Sequence, residues 1–413
     1  MHAAVRPEPG SRFPLYVLVL SGLTATLAVA APTMAMPVLF SELAESLGLT
    51  LVQIGAVWGL ASFAGLFASL AGGMIGDRFG TKRTLIVSCL LLGVAGASRG
   101  LSNSLFSLSV TVLLTGALTA VIPILLHKVC SLWFTGRRLG MANAVVSGGM
   151  ALGFMLGSLV SATFLSPWLG GWRHVLFFYG GLGVLMSVPW AFSRTSPRES
   201  SGSGHIAHRP SLRRSLADVL RLRSVWILGL ALFGVGGAVQ GLLGYLPLYL
   251  RGIEWPAARA DAALSSFHAM SLLAVFPLAM LSDRIGSRRK LLAAAALTIT
   301  CGIGLLSVVD GALVWLAVLT AGTVRDGFMA VFMTAVTELD RLGEESVGTA
   351  LGLCTTLSRI GTLVAPPLGN ALAAYGPRLP FVLWCAMALF GFGALWMLGR
   401  SSRHSHAQSG SAL

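Results

Sequence analysis

Long apolar stretches recur twelve times along this 413-residue chain, each close to the roughly 20 residues a helix needs to cross the hydrocarbon core of a bilayer. Hydrocarbon offers no hydrogen bonds to the backbone, so a span must satisfy its own, and a helix does so within one segment. The chain therefore reads as an all-α integral membrane protein with twelve transmembrane helices. In its first half the spans are expected at 14–40, 51–76, 84–101, 105–130, 139–165 and 173–193. In its second half they are expected at 224–250, 259–281, 290–309, 312–336, 346–374 and 379–399. Hydrophobic residues make up 55% and charged residues 11% of the chain, which leaves too little polar surface to coat a soluble body of this size.

Residues 194–223 separate the halves and are polar, with Pro197, the run from Ser200 to Gly204 and seven arginines. They read as a linker with an amphipathic piece near Leu212 to Leu222. This gives an N-terminal six-helix half at 1–193, a linker at 194–223 and a C-terminal half at 224–413 with a short tail. Arg6 and Arg12 followed by an apolar run to Ala30 imitate a secretory signal. The run continues to Phe40, and the first half needs it as its first helix.

The 29 Lys and Arg exceed the 15 Asp and Glu, but no stretch joins a basic run to interleaved aromatics, so nucleic acid is not an expected partner. With both termini on one side, 21 of the 29 cations fall in the loops of that side. Arg99, Arg173, Arg251, Arg259 and Arg378 fall in the opposite loops. Positive loops stay in the cytoplasm, so the expectation is an inner-membrane protein with both termini cytoplasmic. Five cysteines, all in apolar stretches and without CxxC or CxxH spacing, argue against a disulfide framework or a metal site.

After the second stretch the chain reads Gly76-Asp77-Arg78-Phe79-Gly80-Thr81-Lys82-Arg83. It reads Ser282-Asp283-Arg284-Ile285-Gly286-Ser287-Arg288-Arg289 after the eighth, 206 positions later. One DRxG is a weak signal, whereas two copies at equivalent places in two six-helix halves mark an internal repeat. Gly80 and Gly286 can take the left-handed conformation that ends a helix. Asp77 or Asp283 can accept hydrogen bonds at a neighbouring helix N-terminus, and Arg78 or Arg284 can pair with an acid such as Glu338. Pairs of this kind form in one conformation and break in another, so the six loop residues are candidate gate residues.

The paired loops resemble the signature of the major facilitator superfamily. Pro123 through Trp133-Phe134 and Arg137-Arg138, the glycines Gly149, Gly153 and Gly157, and Gly171-Trp172-Arg173 fit the same resemblance. It implies two pseudo-symmetric six-helix bundles, alternating access around a site between them, and a monomer by analogy. Glycines spaced by four, and Gly348, Gly352 and Gly361 on helix 11, are expected to let helices approach closely. Helices 1, 4, 7 and 10 line the cavity in the superfamily, so the resemblance implies that Arg325 faces the route.

An arginine at the centre of a membrane helix costs about 2.5–3.5 kcal/mol on insertion scales, which makes it a functional candidate. Arg325 lies about 13 residues into helix 10, roughly 20 Å along it, and Arg359 is as deep in helix 11. Thr355, Thr356 and Thr362 share the Arg359 face. Asp326 points about 100° away from Arg325 on an ideal helix. It is expected either to pair with Arg359, leaving Arg325 for an anion, or to carry a coupling proton. The plainer reading is a buried pair that only fixes helices 10 and 11. Lys128, His268 and Gln240 are further candidate substrate contacts. For each, a plainer reading stands beside the functional one: snorkelling for Lys128, a satisfied core histidine for His268, and a helix-to-helix hydrogen bond for Gln240 and for Asn143.

The deep charges are mostly cationic, and guanidinium groups pair with carboxylates and oxyanions in two-pronged fashion. The expected function is secondary transport of a small organic or inorganic anion coupled to protons. The alternative is export of a lipophilic compound. Residues 51–76 hold no Arg or Lys, unlike the nitrate porters of the superfamily, which puts nitrate in doubt. No HExxH, GxSxG, in-span carboxylate pair or nucleotide-binding GxxxxGK occurs, so neither an enzyme nor a nucleotide-driven pump is expected, and no cofactor.

Overall fold

The computed structural model describes residues 13–134, 137–193, 219–285, 287–337, 339 and 347–409. Among the described residues, twelve long helices make up the two halves. In the first half they are α1 (Phe13–Leu47), α2 (Leu51–Phe79), α3 (Thr81–Ser98), α4 (Leu105–Trp133), α5 (Arg138–Leu169) and α6 (Trp172–Phe192). The second half supplies α7 (Arg223–Gly252), α8 (Ala257–Ile285), α9 (Arg288–Leu305), α10 (Leu313–Val336), α11 (Val347–Leu372) and α12 (Leu379–Met397). Ten of them are long and apolar enough to cross a membrane on those grounds alone. The other two are α8 and α9. In α8 the polar residues Asp261, Ser265, His268 and Ser271 lower the hydropathy, and they face inward, each 5% exposed or less.

The chain divides into two compact units. One holds residues up to Leu49 and from Leu60 onward through α6. The other holds Thr50–Gly59, the opening turns of α2, together with the second-half helices. Within that second unit the Trp58 indole N–H donates to Gln240 O at 2.8 Å, and Asn370 Nδ2 donates to Leu51 O at 2.7 Å.

Each unit is closed by small-residue seams. In lipid, helix association depends on van der Waals packing, so backbones that approach closely gain most. In the first unit α5 meets α1 along Gly149, Gly153 and Gly157, where a Cβ would strike Gly22, Thr26, Ala30 and Ala31. α3 meets α6 along Gly93, Gly180 and Gly183. The second unit repeats the first of these seams, with Gly361 of α11 on Phe233 of α7, and adds one of its own where Gly302 of α9 lies on Ala321 of α10. Gly348 and Gly352 do not take part in such a seam, because nothing lies within 4 Å of the Cβ each lacks. Of the three α11 glycines singled out in the sequence, Gly361 is the one that serves close approach.

α1 is not uniform. Thr24–Ala30 is π-helical, a widening that costs backbone hydrogen bonds and therefore needs side-chain support. Thr26 Oγ1 donates to Gly22 O and Gly149 O, both at 2.9 Å, and Trp190 Nε1 donates to Thr24 Oγ1 at 2.9 Å. Outside the apolar spans, Glu42 caps α6 by accepting from Ser166 Oγ at 2.6 Å and from Trp172 N at 3.1 Å. A carboxylate there also meets the positive end of the helix dipole.

Candidate functional site

α10 breaks at its middle, and the candidate site is built on the break. Leu313–Thr323 is helical, Val324 departs to φ −106 and ψ −2, and a second segment runs over Arg325–Thr337. Thr323 Oγ1 donates back to Leu319 O at 2.7 Å, a local bond that competes with the backbone ladder. Restarting a helix inside a membrane frees N–H groups that need acceptors. Ser271 of α8 meets one of them. Its Oγ accepts from Asp326 N at 3.1 Å and donates to Asp326 Oδ2 at 2.7 Å.

Arg325 Nη1 donates to Asp326 Oδ1 at 2.5 Å, so the carboxylate is held from both sides. Both side chains keep partial access, 25% for Arg325 and 27% for Asp326. His268, one turn before Ser271 on α8, is 1% exposed and lies within electrostatic reach of both charges. Two glycines bring α10 this near to α8: a Cβ at Gly322 would strike the Phe267 backbone, and one at Gly327 the Leu278 side chain. Asp326 thus pairs with Arg325 rather than with Arg359. Adjacent residues on a helix diverge by about 100°, and both lie in the segment Arg325–Thr337, so it is the long Arg325 side chain that reaches back to its neighbour.

Arg359 occupies a second polar place, on α11. It is half-buried, and its side chain makes no ion pair or hydrogen bond among the described residues. The hydroxyls around it are already engaged. Thr355 donates to Leu351 O and Gly352 O, Thr356 to Gly352 O and Thr362 to Arg359 O, all at 2.8–3.0 Å. α7 approaches this face where Gly236 meets Ser358 and Thr362. Gln240, one turn further along α7, uses its carbonyl to hold Trp58 and leaves its side-chain amide without a hydrogen bond among the described residues.

The remaining expected residues lie apart from these two places. Lys128 belongs to the first unit, where its Nζ lies 3.9 Å from the position a Gly76 Cβ would take, beside the first DRxG loop. His127 Nδ1 bonds Asn143 Oδ1 at 3.0 Å, which makes Asn143 a helix-to-helix contact between α4 and α5. Arg78 and Arg284 are exposed, and the Arg78 guanidinium sits 5.5 Å over the Phe79 ring. Gly80 has φ +88 and ψ 140 and stands before the first residue of α3. It therefore has the positive φ expected of it but not the left-handed helical ψ. The Asp77 and Asp283 side chains, Gly286 and Glu338 lie outside the described residues. Lys82, in the same loop as Gly80, donates to Ser193 O at the end of α6.

Three residues escaped the sequence reading. Ser271 was signalled only by its place three residues after His268 on an otherwise apolar helix. Asp261, fully buried, pairs with Arg251 at 2.6 Å. Arg99, expected in an outer loop, is 4% exposed.

The described residues hold no cluster of metal-ligating side chains. Comparison with known proteins gives a consistent picture. The chain is 24% identical over 379 residues to a probable sulfoacetate transporter of Cupriavidus necator, covering 85% of each. It is 26% identical over 370 residues to a 3-(3-hydroxy-phenyl)propionate transporter of Escherichia coli, covering 87% of this chain and 88% of that one. It is also 27% identical over 414 residues to a probable nitrate/nitrite antiporter of Thermus thermophilus, covering 93% and 90%. The fold matches a bacterial homologue of the human lysosomal transporter Spinster with a TM-score of 0.76 at 15% identity, over 95% of this chain and 98% of that one. It matches a nucleoside transporter with a TM-score of 0.77 at 13% identity, over 93% and 98%. The family model of the Major Facilitator Superfamily matches residues 18–344, and with the twelve-helix fold and the repeated DRxG loops this places the chain in that superfamily of secondary transporters.

Proposed function

We propose that this transporter carries a small organic anion, a carboxylate or sulfonate, together with a proton. The observation that carries the reading is Arg359: a half-buried guanidinium within a span, with no counter-charge among the described residues. Leaving such a charge without a partner is costly in a membrane, and an anionic substrate supplies the partner. The relatives named for sulfoacetate, 3-(3-hydroxy-phenyl)propionate and nitrate/nitrite support an anion as the class.

Arg325 and Asp326 provide a route to coupling. While Asp326 is ionised it occupies Arg325; once it takes a proton, the ion pair is lost and Arg325 becomes a second cation for the anion. Proton and anion then favour each other's binding, and by linkage the preference is reciprocal. His268, within reach of both charges, is placed to sense that exchange. Gln240 offers an amide to the substrate's neutral polar groups, and Lys128 acts near the first DRxG loop. That loop and its repeat, through Asp77, Arg78, Gly80, Asp283, Arg284 and Gly286, serve as the conformational gate. The surplus of cations on one side favours an inner-membrane protein with both termini in the cytoplasm.

The test is counterflow in proteoliposomes with a labelled panel of alkyl sulfonates, aliphatic and aromatic carboxylates, nitrate and lipophilic cations. The expected outcome is exchange of a sulfonate or carboxylate, with net uptake accelerated by an inward proton gradient. Exchange of lipophilic cations alone defeats the reading.

A further inference from the structure

Arg99 is the most deeply withdrawn arginine that the proposed cycle does not use. Its Nε donates to Gly96 O at 3.2 Å, and its side chain makes no ion pair and no other hydrogen bond among the described residues. The residue lines a cavity of about 20 Å³ between α1, α3, α4 and α6, with Thr33, Thr115, Thr119 and Tyr179 also on its wall. Three of those hydroxyls are committed. Thr33 donates to Val29 O, and Thr115 to Thr111 O and Ala95 O. Ser161 gives its proton to Gly157 O, so Tyr179 must donate to Ser161. Thr119 makes no hydrogen bond among the described residues, which leaves its hydroxyl and the outer guanidinium nitrogens as available donors.

Among the described residues no acid pairs with Arg99. Glu42, the acid that α1 brings toward this end, is engaged by Ser166 and Trp172 N. A second cation, Arg173, holds the turn that follows Arg99 by donating to Gly100 O at 2.8 Å and Ser102 O at 2.9 Å. The result is a small space with positive charge and donors and, among the described residues, no acid lining it. The cavity is about 20 Å³, room for a water or a small ion.

We propose that this cavity is a resident site for a monatomic halide, chloride under cellular conditions, held by Arg99 and Thr119. It belongs to the first unit alone and does not depend on what the transporter carries. The bound ion would neutralise Arg99 and tie the outer end of α3 to α4.

The experiment is thermal unfolding of the purified full chain in detergent, titrated with sodium chloride or bromide against sodium gluconate at constant ionic strength. A saturable rise of a few degrees in Tm with either halide is expected, and Arg99→Gln should abolish it. Should Arg99→Gln fail to fold, Thr119→Val is expected to weaken the apparent halide affinity about tenfold, the equivalent of one hydrogen bond. Identical melting in halide and gluconate overturns the site, as does a halide response unaltered in the variants. Crystals grown in bromide add a direct readout: an anomalous peak within hydrogen-bonding distance of the Arg99 guanidinium supports the site, and density there without anomalous signal assigns the cavity to water.

Discussion

The break in α10 and the unbroken polar face of α11 treat the same residue in opposite ways. At the break, Arg325 is matched by an acid one position along, and the acid is matched again by Ser271 from α8. On α11, Arg359 sits among threonines that spend their protons on their own helix, so none of them reaches out to the guanidinium. Equal depth in the sequence therefore does not mean equal role. A charge that carries its counter-charge is stable before a ligand arrives, and a charge without one is poised to take it from solution.

The most severe way to probe that contrast is Arg359→Ala. It removes the proposed anion anchor and breaks no ion pair, so transport of the anion should fall about 100-fold, the equivalent of one charge-assisted hydrogen-bonded pair, while Tm in the absence of substrate stays at or above wild type. Asp326→Asn reverses the pattern. It breaks the Arg325–Asp326 ion pair, and unfolding in denaturant should show a loss of about 2 kcal/mol, discounted because a quarter of each side chain meets solvent. Added anion should restore part of that loss by mass action. Ser271→Ala removes one hydroxyl from the break and should cost about 1 kcal/mol in the same measurement. Arg378→Ala is the control at the small end. Hydrogen bonding to Asp310 raises the Arg378 pKa above its ordinary value, yet the pair is exposed, so no measurable change in melting is expected.

The same contrast shows where sequence reasoning works and where it stops. The helical spans were legible because about 20 apolar residues have few other uses, and the internal repeat was legible because DRxG recurs at one offset. The glycine seam of α5 was legible from its spacing, whereas Gly348 and Gly352 share that spacing and meet nothing, since periodicity names a face without naming what covers it. The depth of Arg325 and Arg359 was legible, but their pairing was not. An ideal helix turns Arg325 and Asp326 apart, and the reach of a long guanidinium side chain to its neighbour is not written in the spacing. Arg99 was misread as a loop residue because it stands where one apolar stretch ends. The fold brings α1, α4 and α6 around it, and no local signal foretells that.

The central claim is a division of labour, with Arg359 anchoring the anion and Asp326 releasing Arg325 when it takes a proton. The most direct measurement compares wild type, Arg359→Ala and Asp326→Asn in proteoliposomes, scoring counterflow exchange and pH-gradient-driven accumulation of the same anion. The account predicts that Arg359→Ala loses both, and that Asp326→Asn keeps exchange and loses accumulation. Wild-type exchange by Arg359→Ala, or proton-driven accumulation that survives in Asp326→Asn, would contradict it.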